Sequence, residues 1–137
     1  MSEYPPNFSY AELACKSGDP CPYPGRLRHL AWTLQHIRTE FGKPIRVTSG
    51  YRSPEYNKEI GGVKNSQHTK AVAADLQPWS NREDDLRELI QVIQELVSSG
   101  KIPDGGIGIY STFVHYDMRP RKTACSQTMK SPKSSKT

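Results

Sequence analysis

Four histidines occur in the 137-residue chain, and two of them stand where imidazole chemistry is most useful. His68 lies in a long polar loop, seven residues before Asp75, which follows the apolar run Val72-Ala73-Ala74. His115 lies in Phe113-Val114-His115-Tyr116-Asp117, where the two-residue period of a strand puts Phe113, His115 and Asp117 on one face. A carboxylate at the end of an apolar approach must find a partner if it is buried, because an unpaired charge there is costly. Two imidazoles and a carboxylate suit Zn2+ and leave a fourth position for water. Such a centre polarises a carbonyl and lowers the pKa of water toward neutrality. His29 and His36 read differently. They are seven residues apart on one helical stretch, too far to chelate one ion without a third ligand between them, and are expected at the surface.

These candidates need elements to position them. Residues 1–25 are punctuated by Pro5, Pro6, Gly18, Pro20, Pro22, Pro24 and Gly25, an extended arm with one helical turn around Ser9–Leu13. Leu27, Leu30, Ala31, Leu34, Ile37 and Phe41 recur at three- and four-residue steps and predict an amphipathic helix that Gly42 ends. Ile45-Arg46-Val47-Thr48 reads as a strand. Residues 49–72 read as a long polar loop, a feature that in a small domain is usually functional or disordered. Val72–Leu76 reads as a second strand. Ser80 and Glu83 have the spacing of a capping box before a second helix marked by Leu86, Leu89, Ile90, Ile93, Leu96 and Val97 and stopped by Gly100. Ile107–Tyr110 and Phe113–Asp117 form a hairpin. The expected class is therefore α+β, a small antiparallel sheet with helices on one face.

The net charge of +5 raises the question of a nucleic-acid partner, but its distribution answers it. Residues 1–118 carry 13 Lys/Arg against 14 Asp/Glu, whereas residues 119–137 carry six Lys/Arg and no acid. One domain over 1–118 with a basic, disordered tail over 119–137 is expected. The body has no basic stripe with interleaved aromatics, so no nucleic-acid partner is expected. No run is long enough for a membrane span, and the start lacks a signal-peptide pattern. A monomer is expected, cytoplasmic until released or associated with a virion. Cys15, Cys21 and Cys125 cannot all pair within one chain, and Cys15 with Cys21 reads as two loop thiols rather than half of a zinc ribbon.

The ordered segments Ser49-Gly50-Tyr51-Arg52-Ser53-Pro54, Asn57, Gly61-Gly62, Ser66-Gln67-His68, Ala73-Ala74-Asp75 and Gly105-Gly106-Ile107-Gly108-Ile109-Tyr110 precede the His115 strand. Together they resemble the M15 family of zinc D-Ala-D-Ala peptidases, nearest the branch that includes peptidoglycan endopeptidases and phage endolysins. The resemblance implies a hedgehog/D-Ala-D-Ala-peptidase fold, a zinc cofactor held by His68, Asp75 and His115, and a peptidoglycan peptide as substrate. It places Arg52 on the substrate side of the site. Ser66 and Asn57 are candidates to orient the loop or donate to substrate, and both are also ordinary turn residues.

Two positions depart from the family pattern. Ala71 stands where a Gly is usual, which matters if that position needs positive φ. Phe113 and Thr112 stand where many members carry a Glu or His base. Asp117 is then the nearest candidate for the base, and equally a carboxylate that orients His115. The expected function is zinc-dependent hydrolysis of amide bonds in wall stem peptides or cross-links, as a carboxypeptidase or an endopeptidase. The alternative is an inactive wall- or partner-binding module with the same fold.

Overall fold

A computed structural model describes residues 4–119. The tail beyond Arg119, with Cys125, lies outside the described residues. The elements in chain order are α1 (Tyr10–Leu13), α2 (Pro24–Phe41), β1 (Ile45–Ser49), α3 (Pro54–Glu59), a 3-10 turn (Gln67–Lys70), β2 (Ala73–Pro78), α4 (Glu83–Ser98), β3 (Ile107–Ile109) and β4 (Val114–Asp117). The four strands form one antiparallel sheet in the order β1-β2-β4-β3. This is the expected α+β arrangement.

The apolar periodicity places its residues as expected. Leu27, Leu30, Leu34 and Ile37 of α2 and Leu89 and Ile93 of α4 are fully buried, and they share one core with Ala74 and Leu76 of β2 and Val114 and Tyr116 of β4. Strand alternation then sends the intervening residues to the other side of the sheet. In the β2–β4 ladder Asp75 is paired with His115, and Ala73 with Asp117. The core residues thus fix which face the candidate ligands occupy. Gly42 ends α2 in the left-handed conformation at φ 75° with its N–H bonded to the Arg38 carbonyl. His29 and His36 are exposed on α2, as expected.

Two expectations are revised. The segment 49–72 is not an irregular loop, because Ser53 caps the short helix α3 by accepting from the Tyr56 N–H, and Pro54 opens it. Ser80 and Glu83 do not form a capping box. Asn81 takes φ 59°, Ser80 Oγ accepts from the Arg82 N–H and donates to Asp85, and α4 begins after Arg82 without a side-chain cap. The reciprocal box forms instead between Ser9 and Glu12 at the start of α1.

The end of α1 reaches the middle of the fold. The Tyr51 N–H donates to the Leu13 carbonyl at 2.7 Å, and a Cβ on Gly50 would lie 2.5 Å from that carbonyl oxygen and 2.9 Å from Leu13 Cα. Gly50 is therefore needed for close backbone approach. Gly50→Ala is expected to destabilise the protein by about 1–3 kcal/mol through overpacking. Urea denaturation checks this, and an unchanged midpoint would show that α1 yields without penalty.

Candidate metal centre

The segment after α3 is built to place one ring. Ser66 Oγ accepts from the His68 N–H at 3.1 Å, and Thr69 Oγ1 donates to the Ser66 carbonyl at 2.6 Å, which starts the 3-10 turn carrying His68. The turn ends at Ala71, which lies at φ 62°, ψ 32° and is fully buried. The position where the family pattern has Gly does require the left-handed region, and Ala71 occupies it with the associated strain. From there the chain enters β2 and presents Asp75 opposite His115.

His68, Asp75 and His115 are all buried, and each offers a ligand atom within 4.8 Å of the others. Their outer contacts decide which nitrogens face inward. His68 Nδ1 lies 2.8 Å from the Gly50 carbonyl, which can only accept, so neutral His68 carries its proton there. His115 stands between two carboxylates, with Nε2 2.8 Å from Asp117 Oδ2 and Nδ1 2.9 Å from Asp75 Oδ1, and a proton on Nε2 leaves Nδ1 able to coordinate. The remaining nitrogens, His68 Nε2 and His115 Nδ1, approach the same Asp75 Oδ1 at 3.3 and 2.9 Å. In the tautomer with both protons outward, two lone pairs and a carboxylate oxygen converge with no donor among them. Such a set needs a cation at its centre, a proton or a metal ion. Two imidazole nitrogens and a carboxylate oxygen with their outer partners satisfied fit Zn2+.

Electrostatics follow from the same contacts. Burial pushes the Asp75 carboxyl up, but when a proton fills the metal-free centre its contacts with His115 and His68 outweigh burial and hold the group well below its ordinary value. Burial likewise raises Asp117, and Arg119 with His115 more than reverses that. Burial lowers His115, and Asp117 and Asp75 overcome this to raise it.

The three donors sit in a cleft of about 320 Å³, also lined by Arg52, Gly61, Gly62, Ser66, Tyr110, Phe113 and Arg119. Arg52 and Ser66 therefore reach the cleft. Arg52 is extensively held: Nε donates to Ser49 Oγ, Nη1 to Asn57 Oδ1, and Nη2 lies 3.9 Å from Asp75 Oδ2. Asn57 is buried behind Arg52 and donates to the Val63 carbonyl, so it braces the arginine and the cleft rim rather than lining the cleft. Phe113 stacks on Tyr110 with ring centroids 4.4 Å apart and forms a wall.

Asp117 is fully buried and does not line the cleft. Its Oδ1 accepts from the Gly106 N–H and from the Arg119 backbone N–H and Nε, and its Oδ2 accepts from His115 and Arg119 Nη2. Of the two roles open to it, this geometry fits the carboxylate that orients His115 and offers no path for a base. Arg119, assigned by composition to the tail, instead packs into the site. Its signal was the continued alternation His115, Asp117, Arg119.

A buried His-Asp-His donor set at the floor of a cleft, on an antiparallel sheet backed by helices, could hold one metal ion through three protein ligands. The model of the Peptidase M15 family matches residues 6–117, and the chain belongs to that family. A zinc D-Ala-D-Ala carboxypeptidase of Streptomyces albus G is 42% identical over 80 residues. That segment is 53% of this chain and 31% of the relative, so the chain matches about a third of the relative's length.

The pH dependence of the metal-free protein follows from the three shifts. A raised His115 contributes stability that is complete below its ordinary value of 6.5 and is lost as pH rises through the folded value. Lowered Asp75 and Asp117 contribute stability present above their ordinary value of 3.8 and lost as pH falls through the folded values. Zinc-stripped protein is therefore expected to resist urea best between about pH 4 and 6.5. A sample at pH 5 no more resistant than one at pH 8.5 would refute the converged-acceptor arrangement.

Proposed function

We propose that the chain is a zinc-dependent peptidase that hydrolyses amide bonds in the peptide stems or cross-links of peptidoglycan and acts at the cell wall. The observation that carries this reading is the convergence of two imidazole nitrogens and a carboxylate oxygen at the floor of a cleft. Family membership supports it, as does likeness to a protein named for zinc and D-Ala-D-Ala.

In this reading His68 Nε2, Asp75 and His115 Nδ1 hold the metal. Bound zinc supplies a Lewis acid for the scissile carbonyl and lowers the pKa of water. The chain's own residues do the rest. Gly50 and Asp117 keep both imidazoles in the tautomer that leaves the inner nitrogen unprotonated. Arg52 stands beside Asp75 with its guanidinium fixed by Ser49 and Asn57, preorganised to stabilise charge that develops on the substrate oxygen. Tyr110 stays protonated at the cleft wall, because burial first and the Asp75 charge second raise its pKa.

A second reading, a wall- or partner-binding module without hydrolysis, is favoured by one observation. Among the described residues lining the cleft there is no carboxylate or histidine beyond the three metal donors.

Metal analysis and digestion of purified peptidoglycan test both readings. One zinc per chain, activity abolished by a chelator and restored by zinc, and products that mass spectrometry assigns to cleaved stems or cross-links are expected. Zinc bound without any product supports the second reading, and no zinc defeats the first. Asp117→Ala is expected to weaken metal affinity or activity by about 10–100-fold.

A further inference from the structure

We propose that Arg119 is a second substrate-facing residue of this cleft, and that it receives a peptide carboxylate on the edge of its guanidinium left over from its clamp on Asp117. The proposal rests on the peptidoglycan reading and names a specificity residue within it.

The clamp fixes how Arg119 is oriented. Its Nε donates to Asp117 Oδ1 at 2.8 Å and its Nη2 to Oδ2 at 2.6 Å, a two-point contact that leaves Nη1 out. A planar guanidinium has a second fork of the same kind, formed by Nη1 with the other proton of Nη2. Asp117 is fully buried, so the clamped edge faces the protein interior, whereas the Arg119 side chain is 28% exposed and lines the cleft beside His115. The second fork is thereby turned toward the space that substrate occupies.

Room for this arrangement is built into the chain. A Cβ on Gly106 would lie 2.7 Å from Arg119 Nη2 and 2.7 Å from Asp117 Oδ2. The absence of a side chain at 106 is what admits the guanidinium, which gives the Gly105-Gly106 pair a role in the site. Arg52 offers a contrast. Its Nε and Nη1 donate to Ser49 and Asn57 and its Nη2 faces Asp75 at 3.9 Å, which orients it toward the metal donors rather than toward a second carboxylate. Arg119 keeps Nη1 without a hydrogen bond to any described residue, and a bidentate fork of this geometry suits a carboxylate.

The test uses the zinc-loaded full chain and cross-linked dimeric muropeptides, with their carboxylates free or converted to amides. Affinity by calorimetry and KM and kcat by product formation are measured at saturating zinc for the wild type, Arg119→Met, and the double variant Asp117→Asn with Arg119→Met. The double variant leaves no unpaired buried carboxylate and keeps an acceptor for His115. The wild type is expected to favour the free carboxylates by about tenfold or more. Both variants are expected to lose that preference through KM or affinity, with zinc content retained in the double variant. Wild-type preference in either variant overturns the proposal, as does loss of preference only together with loss of zinc in both. Wild-type binding without cleavage would defeat the peptidase reading alone and leave Arg119 scored by affinity.

Discussion

Like electrostatic character at short range is the constraint that organises this protein. Two imidazole nitrogens approach one carboxylate oxygen within about hydrogen-bond distance, an arrangement that repels itself unless a proton or a metal ion lies between the atoms. Nothing in the three side chains alone would maintain it. It persists because each outer atom is fixed by an acceptor of its own, the Gly50 carbonyl behind His68 and Asp117 behind His115. The chain thus trades two outward hydrogen bonds for an inward concentration of electron density, which is the electronic requirement of a metal site.

Those outer acceptors are themselves products of the fold. Gly50 is held where the end of β1 meets the carbonyl of Leu13, and its neighbour Arg52 donates its backbone N–H to the His68 carbonyl. Asp117 is held by the edge of the sheet, where Gly106 donates into it and Arg119 closes over it. The core residues of β2 and β4 determine the face, and the register of one ladder sets Asp75 against His115. Packing of Leu76, Val114 and Tyr116 against the helices is therefore also what aims the polar residues on the opposite side.

Much of this was legible in the sequence. The apolar spacing of α2 and α4 identified both helices, since burial of a stripe leaves a period that composition cannot hide. The alternation in Phe113–Asp117 placed His115 and Asp117 on one face, and the structure joins them through a hydrogen bond. What the sequence could not show was depth. Alternation says that Asp117 shares a face with His115 but not that it lies beneath the cleft floor, and so it left base and orienting carboxylate equally open. Ser80 and Glu83 had the right spacing for a cap, yet a positive φ at Asn81 diverted the chain. Arg119 was obscured by the lysines that follow it, because composition averaged over a window assigned it to the tail while its individual position on the strand assigned it to the site.

Ala71 has an energetic meaning beyond its geometry. It sits between the turn that carries His68 and the strand that carries Asp75, in a conformation that costs an L-residue about 1–2 kcal/mol relative to the right-handed region. A backbone under that load gains by opening, and opening separates two of the three ligands. A load of about 1–2 kcal/mol corresponds to roughly a five- to thirtyfold change in an equilibrium constant. One methyl group thereby weights the chain against the juxtaposition of His68 and Asp75 from a position outside the donor set.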